Sequence, residues 1–395
     1  MWALFLAGFA TFALLFSPQA FLPALSAEFA VDADAAAVTV SATALGVAAG
    51  VLGWASVSNR VGRLRAIRMS LVLALLFAVA IPFLPNLGSV VVVRFAEGLA
   101  LGAAPAVGMA YIAERVDGRW AAHAAGTFVA GNTVGGIVGR LTSGLAADIG
   151  GWRLAFGVST EVAALAIAAF LILSRRLYDR EASPSGGSAG RAVWLNLRDP
   201  YMLALYLQGF LLMGAFGAVY NFFGYRVQAP PFDQPAWISS ALFLVYLTGS
   251  VAAQRSGALA ARMGTARTLV VGSAAILVSL PLMASDLLAV MVGGLILFTI
   301  GCFTAHPIAS GLSARSARAG RAQSTALYQI AWLGGTSLFG WLGGLAYAAA
   351  GWTATLALVA ILCILSAAAA VLGATVSTRL RLADSPTVTV SGVSS

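Results

Sequence analysis

Twelve stretches of this chain are long and apolar enough to cross a lipid bilayer. A crossing helix needs about 20 mostly apolar residues. By that measure the stretches are 2–25, 38–58, 68–85, 88–113, 122–146, 153–174, 200–223, 236–260, 268–285, 287–311, 323–348 and 353–378. Hydrocarbon offers no water to backbone N–H and C=O groups, so each stretch must satisfy its own backbone and is expected to be a helix. The balance of residues agrees. The 395 residues are 60% hydrophobic and only 9% charged, with a mean hydropathy of +0.91, whereas a soluble domain carries about 25% charged residues. The expected fold class is an all-α membrane protein. Met1 to Leu25 lacks a basic start and reads as the first span rather than a signal peptide.

The formal net charge is +9, and the basic residues are all Arg. Such basicity often marks a nucleic-acid binder, yet here the Arg residues sit in short loops between apolar runs. Arg60, Arg63 and Arg65 lie between the second and third spans and Arg68 opens the third, Arg115 and Arg119 lie between the fourth and fifth, and Arg175, Arg176, Arg180, Arg191 and Arg198 between the sixth and seventh. Arg262 and Arg267, then Arg315, Arg318 and Arg321, then Arg379 and Arg381 continue the series on the same side. The opposite loops hold Glu28, Asp32, Asp34, Asp233 and Asp286. The positive-inside rule puts the Arg-rich side and both termini in the cytoplasm. No nucleic-acid partner is expected.

The chain also repeats itself. Gly135, Gly144, Leu145, Ala146, Gly151 and Trp152 recur 200 positions later as Gly335, Gly344, Leu345, Ala346, Gly351 and Trp352. A second match is offset by 202: Arg60 and Gly62 correspond to Arg262 and Gly264. The polar stretch 175–199, rich in Gly and Ser, reads as a flexible cytoplasmic linker between an N-terminal six-helix bundle (1–174) and a C-terminal one (200–378). Residues 379–395 read as a disordered cytoplasmic tail. Two such halves in a lipid-soluble chain point to a transporter that rocks one half against the other.

Three motifs resemble those of the major facilitator superfamily. Ala55 to Arg65, which includes Asn59, Arg60, Gly62 and Arg63, is similar to its cytoplasmic G-x-x-x-D-R-x-G-R-R loop. Arg94 to Gly98 resembles its R-x-x-x-G motif. Gly131 to Arg140, with Asn132, Gly135, Gly136 and Gly139, resembles the glycine-rich motif of its antiporters. The resemblance implies twelve helices in two pseudo-symmetric six-helix bundles, and is nearest to bacterial drug/metabolite:proton antiporters. The sequence departs from the pattern at the loop acid, which is Asn59 in the first half and Ala261 in the second. Asn can hydrogen-bond but cannot ion-pair, which puts a charge-based gate latch in doubt.

Charge inside a membrane is costly and usually functional. Arg94 and Glu97 share a helix face at three-residue spacing. Glu97 is the candidate proton carrier, with Arg94, Arg140 and Glu161 as further proton-coupling residues. The alternative role for the pair is a static salt bridge. Polar residues midway along spans, namely Gln19, Gln208, Asn221, Tyr225 and His306, are candidates for substrate binding. Phe210, Phe216, Phe222, Phe223 and Trp332 offer an apolar lining. Gly131, Gly135, Gly136 and Gly139, with Gly335, Gly340, Gly343 and Gly344 as a partner seam in span eleven, suggest close-packed helices, either as plain packing or as seams that slide during gating. Arg262 and Gly264 complete the gating set.

Without Lys there is no G-x-x-x-x-G-K-[ST] phosphate loop, and neither H-E-x-x-H nor a nucleophile elbow is present, so enzyme chemistry has no foothold. Cys302 and Cys363 fall inside apolar stretches and read as small core residues. No cofactor or metal is expected. The leading expectation is a monomeric secondary transporter of the bacterial inner membrane, surrounded by lipid, that exports small organic compounds against protons by alternating access. The alternatives are a sugar or metabolite carrier (uniporter or importer) of the same fold and, remotely, a membrane sensor or channel.

Overall fold

A computed structural model of the protein describes residues 1–116, 118–175, 177 and 189–383. Among these residues it is helical, with ten helices long and apolar enough to span a membrane. Two of the ten are too long for one crossing. Gly118–Ser174 has 57 residues and Arg321–Ala383 has 63, whereas a span of about 20 residues suffices. Each leaves helical geometry at one place: Gly150 and Gly151 in the first, Ala350 and Gly351 in the second. Gly151 and Gly351 have φ of 68° and 67°, so the repeated Gly-Trp turn is the hairpin that reverses the chain. Divided there, the ten helices become twelve spans in two six-helix bundles.

The two halves match in backbone detail. The helix Ala33–Val61 passes to Arg63–Ala80 through the single residue Gly62, and Tyr246–Met263 passes to Thr265–Met283 through Gly264. Their φ values are 99° and 91°. A side chain is strained in that region, which is why the repeated loop needs Gly there.

Four expectations change. The first span is not one helix to residue 25. It runs as Trp2–Phe16, a 3₁₀ turn Ser17–Ala20 and a helix Leu22–Phe29. Pro18 lacks the N–H that would bond the Leu14 carbonyl, so the α-helix cannot continue. The fourth span divides at Gly102 into Leu87–Leu101 and Ala103–Arg115. The linker is not wholly irregular, since Ala189–Leu197 is helical and Asn196 Nδ2 donates to Ala319 O at 2.8 Å. Arg176, Arg180 and most of the Gly/Ser segment lie outside the described residues. The twelfth span continues as helix to Ala383, past the point where the tail was expected to begin, and 384–395 lie outside the described residues.

Candidate functional site

The break in the first span creates the centre of the molecule. It frees carbonyls at the end of Trp2–Phe16, and a guanidinium from the fourth span takes them. Arg94 donates to Leu14 O at 3.0 Å, Leu15 O at 2.8 Å and Thr39 O at 3.3 Å. Its Nη1 also pairs with Glu97 Oε2 at 2.6 Å. Both residues are completely buried. The i,i+3 pair foreseen from sequence therefore exists, and it ties the first, second and fourth spans together. Glu97 Oε1 faces the interior without a hydrogen-bond partner. That oxygen keeps its lone pairs free to accept a donor.

Arg140 does not join that pair. Its Nε and Nη2 chelate Gln19 Oε1 at 2.8 and 2.7 Å, Nη1 donates to Gly136 O at 2.8 Å, and Nη2 reaches Tyr246 OH at 3.3 Å. The rings of Phe16, Phe243 and Tyr246 surround the guanidinium, with centroids at 4.9, 4.8 and 4.9 Å. A Cβ on Gly136 would lie 2.9 Å from Arg140 Nη1, so that glycine makes room for the charge. Gln19 passes the contact on, its Nε2 donating to Asn221 Oδ1 at 2.7 Å. Span five, span one, span seven and span eight are thus linked through one guanidinium and two amides.

Gln19, Asn221 and Tyr225, the substrate-binding candidates, hold the halves together in this structure. Tyr225 OH bonds Ser26 Oγ at 2.7 Å. Asp148 Oδ2 accepts from Trp237 N at 2.8 Å, and Ser337 Oγ donates to Ser41 O at 2.8 Å. All these bonds lie in the half of the molecule away from the Arg-rich loops. In the Arg-rich half, Gln329 Nε2 donates to Pro105 O at 3.2 Å. The end opposite the Arg-rich loops is therefore closed.

The other candidates separate from this centre. Glu161 lies on the outward face of span six with Leu165 and Ile172, which are exposed. Residues at i, i+4 and i+11 share a face, so Glu161 is turned away from Glu97. Gln208 is buried with neither amide atom partnered, and it borders a cavity of about 410 Å³ among spans seven, nine, ten and twelve rather than the seam between the halves. His306 Nδ1 lies 3.0 Å from Tyr328 OH and its ring meets Trp332 edge-on, a contact of spans ten and eleven. The helix Leu288–Arg315 runs on through Pro307. Phe216, Phe222 and Phe223 are core residues of the second half, while Phe210 and Trp332 are half-buried.

The glycine stripes bring helices close together, the packing that their spacing implied. A Cβ on Gly131, Gly135 or Gly139 would fall 2.2, 2.1 or 2.7 Å from the carbonyl oxygens of Phe5, Phe9 and Ala13. They seat span five on span one within a single bundle. Gly335 stands in the same relation to Phe210 O, at 1.9 Å, seating span eleven on span seven. The contact between bundles falls on Gly144, whose Cβ would lie 1.7 Å from Ser240 Oγ, and on Gly344, whose Cβ would lie 2.4 Å from Asp34 Cα. These two are equivalent residues of the repeat. Gly340 packs on Asn221 of its own bundle and faces Ser41 across the same seam, whereas Gly343 packs on Ala218 and Phe222 inside the second bundle.

In the Arg-rich loop, Arg63 regains the missing acid from elsewhere. Its Nη2 pairs with Glu114 Oε1 at 2.8 Å, and Nη1 donates to Ser58 Oγ and Asn59 Oδ1 at 2.6 and 2.8 Å. Arg60 and Arg262 are exposed. Sequence reasoning missed Glu114, Tyr246 and the rings around Arg140. Phe243, in the 3₁₀ turn Leu242–Val245, stands three residues before Tyr246, but nothing local says that Arg140, 106 residues before Tyr246, comes to meet them.

Comparison with known proteins accords with this geometry. The Major Facilitator Superfamily model matches residues 4–318. The chain is 31% identical over 353 residues to the uncharacterized MFS-type transporter YybF of Bacillus subtilis, covering 89% of this chain and 87% of that one. It is 29% identical over 365 residues to the inner membrane transport protein YnfM of Escherichia coli, covering 92% and 88%. Solved structures of other transporters share its fold. A bacterial homolog of the human lysosomal transporter Spinster, inward-facing and unoccupied, superposes with a TM-score of 0.73 at 14% identity, covering 95% of this chain and 97% of that one. The nucleoside transporter NupG gives 0.69 at 15%, covering 95% and 98%. The chain belongs to the major facilitator superfamily and is a membrane-spanning transporter.

Proposed function

We propose that this protein is a monomeric, proton-coupled exporter of small organic compounds in the bacterial inner membrane. Its Arg-rich loops and both termini face the cytoplasm, as the positive-inside rule directs. The solute binds near the bilayer midplane between the bundles, and the closed end is the periplasmic one. The observation that carries the reading is Glu97, fully buried, with one oxygen on Arg94 and the other without a partner. Such a carboxyl loses its proton as Arg94 moves toward it and takes one up as Arg94 moves away. The antiporter-like glycine motif of span five supports outward transport.

The test is transport in proteoliposomes. Glu97→Gln is expected to abolish solute movement driven by a proton gradient while leaving downhill solute exchange in place. Unchanged gradient-driven transport in that variant removes Glu97 from the coupling. A second reading, a sugar or metabolite carrier, draws on the Gln19–Asn221 amide pair, since polar solutes are recognised by such groups. Labelled solutes offered in both directions separate the two.

A further inference from the structure

Arg140 is a buried cation without an anion. Five ion pairs join described residues, Arg63–Glu114, Arg94–Glu97, Arg153–Glu28, Arg226–Asp286 and Arg318–Asp199, and Arg140 belongs to none of them. It is only 2% exposed. Arg94 is neutralised by Glu97, so the centre of the molecule keeps one uncompensated positive charge. A buried charge without a partner is strongly disfavoured unless something compensates it. Gln19, Gly136, Tyr246 and three aromatic faces offset part of that cost with dipoles and quadrupoles, but they supply no opposite charge.

A second observation comes from the amides. Because Arg140 chelates Gln19 Oε1, the Gln19 NH₂ must face Asn221, and Asn221 must answer with Oδ1. That leaves Asn221 Nδ2, in a residue 1% exposed, as a donor with no acceptor. Ser41 Oγ, near it across Gly340, also lacks a partner. At the Arg140 end the contacts therefore carry one guanidinium and one orphaned amide donor, with no carboxylate to answer either.

We propose that the solute carried here is a small organic monoanion, a carboxylate on an apolar or aromatic body, and that Arg140 is the group that recognises its charge. The inference rests on the transporter reading above and gives that reading a substrate class. A carboxylate meets the guanidinium fork in two parallel hydrogen bonds and neutralises it, while the rings of Phe16, Phe243 and Tyr246 receive the apolar body. A cationic solute is repelled by the same charge. A neutral one leaves the charge unanswered. Access requires Gln19 to release the fork, which follows when the Gln19–Asn221 and Arg140–Tyr246 contacts between the halves part.

The experiment is a thermal-stability series on the purified full-length protein in lipid nanodiscs at neutral pH. The probes are benzoate, phenylacetate and octanoate, each beside its uncharged amide and its primary amine. Binding to the native state raises the melting temperature. Carboxylates are expected to raise it while the matched amides and amines do not. Arg140→Gln is expected to lose the carboxylate shift, with affinity falling by about tenfold or more. The inference is overturned if amides or amines stabilise the protein as well as the acids, if no carboxylate does, or if Arg140→Gln keeps the shift. The comparison within the wild-type protein stands even if that variant does not fold. Carboxylate binding combined with undiminished proton-driven transport in Glu97→Gln overturns the proton reading alone; loss of coupling in Glu97→Gln without carboxylate binding overturns the anion inference alone.

Discussion

At the scale of single residues, the account turns on two guanidiniums gripping one broken helix. Arg94 fills carbonyls that Pro18 helped to free, and its charge is met by Glu97. Removing one member of a buried pair leaves the other unsatisfied and costs about 3–5 kcal/mol. Arg94→Ala is therefore expected to lower the melting temperature sharply. In Arg94→Ala combined with Glu97→Gln, part of the loss is expected to return, because no bare carboxylate remains. A double variant no more stable than the single one contradicts that explanation. The Arg94–Glu97 pair was legible in sequence because three-residue spacing on a helix is a local fact. The partners of Arg140 were not, because Gln19 lies 121 residues away and Tyr246 lies 106 away.

At the scale of elements, the repeated glycines set how closely helices approach. In Gly135 and Gly335 an added methyl meets the carbonyl oxygen of Phe9 or Phe210 at 2.1 or 1.9 Å. Backbone cannot swing aside as a side chain can, so overpacking of this kind costs about 1–3 kcal/mol. Gly135→Ala and Gly335→Ala are both expected to destabilise the protein in thermal melts, while Gly157→Ala, with open space around it, is expected to be neutral or slightly stabilising. Equal behaviour of all three contradicts the packing described. At the end opposite the Arg-rich loops, Arg153 beside Glu28 holds that carboxyl below the usual carboxylate range. A depressed folded value means stabilisation that is full above the unfolded pKa and fades as pH falls through the folded one. Glu28→Gln is expected to lower the neutral plateau of the stability–pH curve slightly and to flatten its acid side, leaving stability at the lowest pH unchanged. The spans themselves were legible because their length and hydropathy suffice. Which face of each span looks inward was not. Lipid is as apolar as a protein core, so the stripe that marks the inner face of a soluble helix is missing. Hence Gln208 and His306, chosen as polar residues midway along spans, belong to the second bundle's own packing, and Glu161 faces outward.

At the scale of the whole molecule, two bundles of like design meet through Gly144 against Ser240 and Gly344 against Asp34, at the end where the inter-bundle hydrogen bonds gather. The duplication was legible as matching residues 200 apart; the seam was not, since only the folded structure distinguishes a glycine facing its own bundle from one facing the other. Gly144→Trp is expected to wedge this end open, and a membrane-impermeant thiol reagent applied to the periplasmic face is expected to reach Ser41→Cys in that background but not in the parent. The account requires the bundles to tilt as bodies, one end opening as the other closes. The most direct check is a pair of spin-label distances in nanodiscs, Ile149→Cys with Leu287→Cys across the closed end and Arg60→Cys with Arg262→Cys across the Arg-rich end. These positions are exposed, whereas the native Cys302 and Cys363 are buried. Across a pH series, and in Glu97→Gln, the two distances are expected to change in opposite directions. Distances that stay fixed, or that widen together at both ends, contradict alternating access by rocking of two bundles.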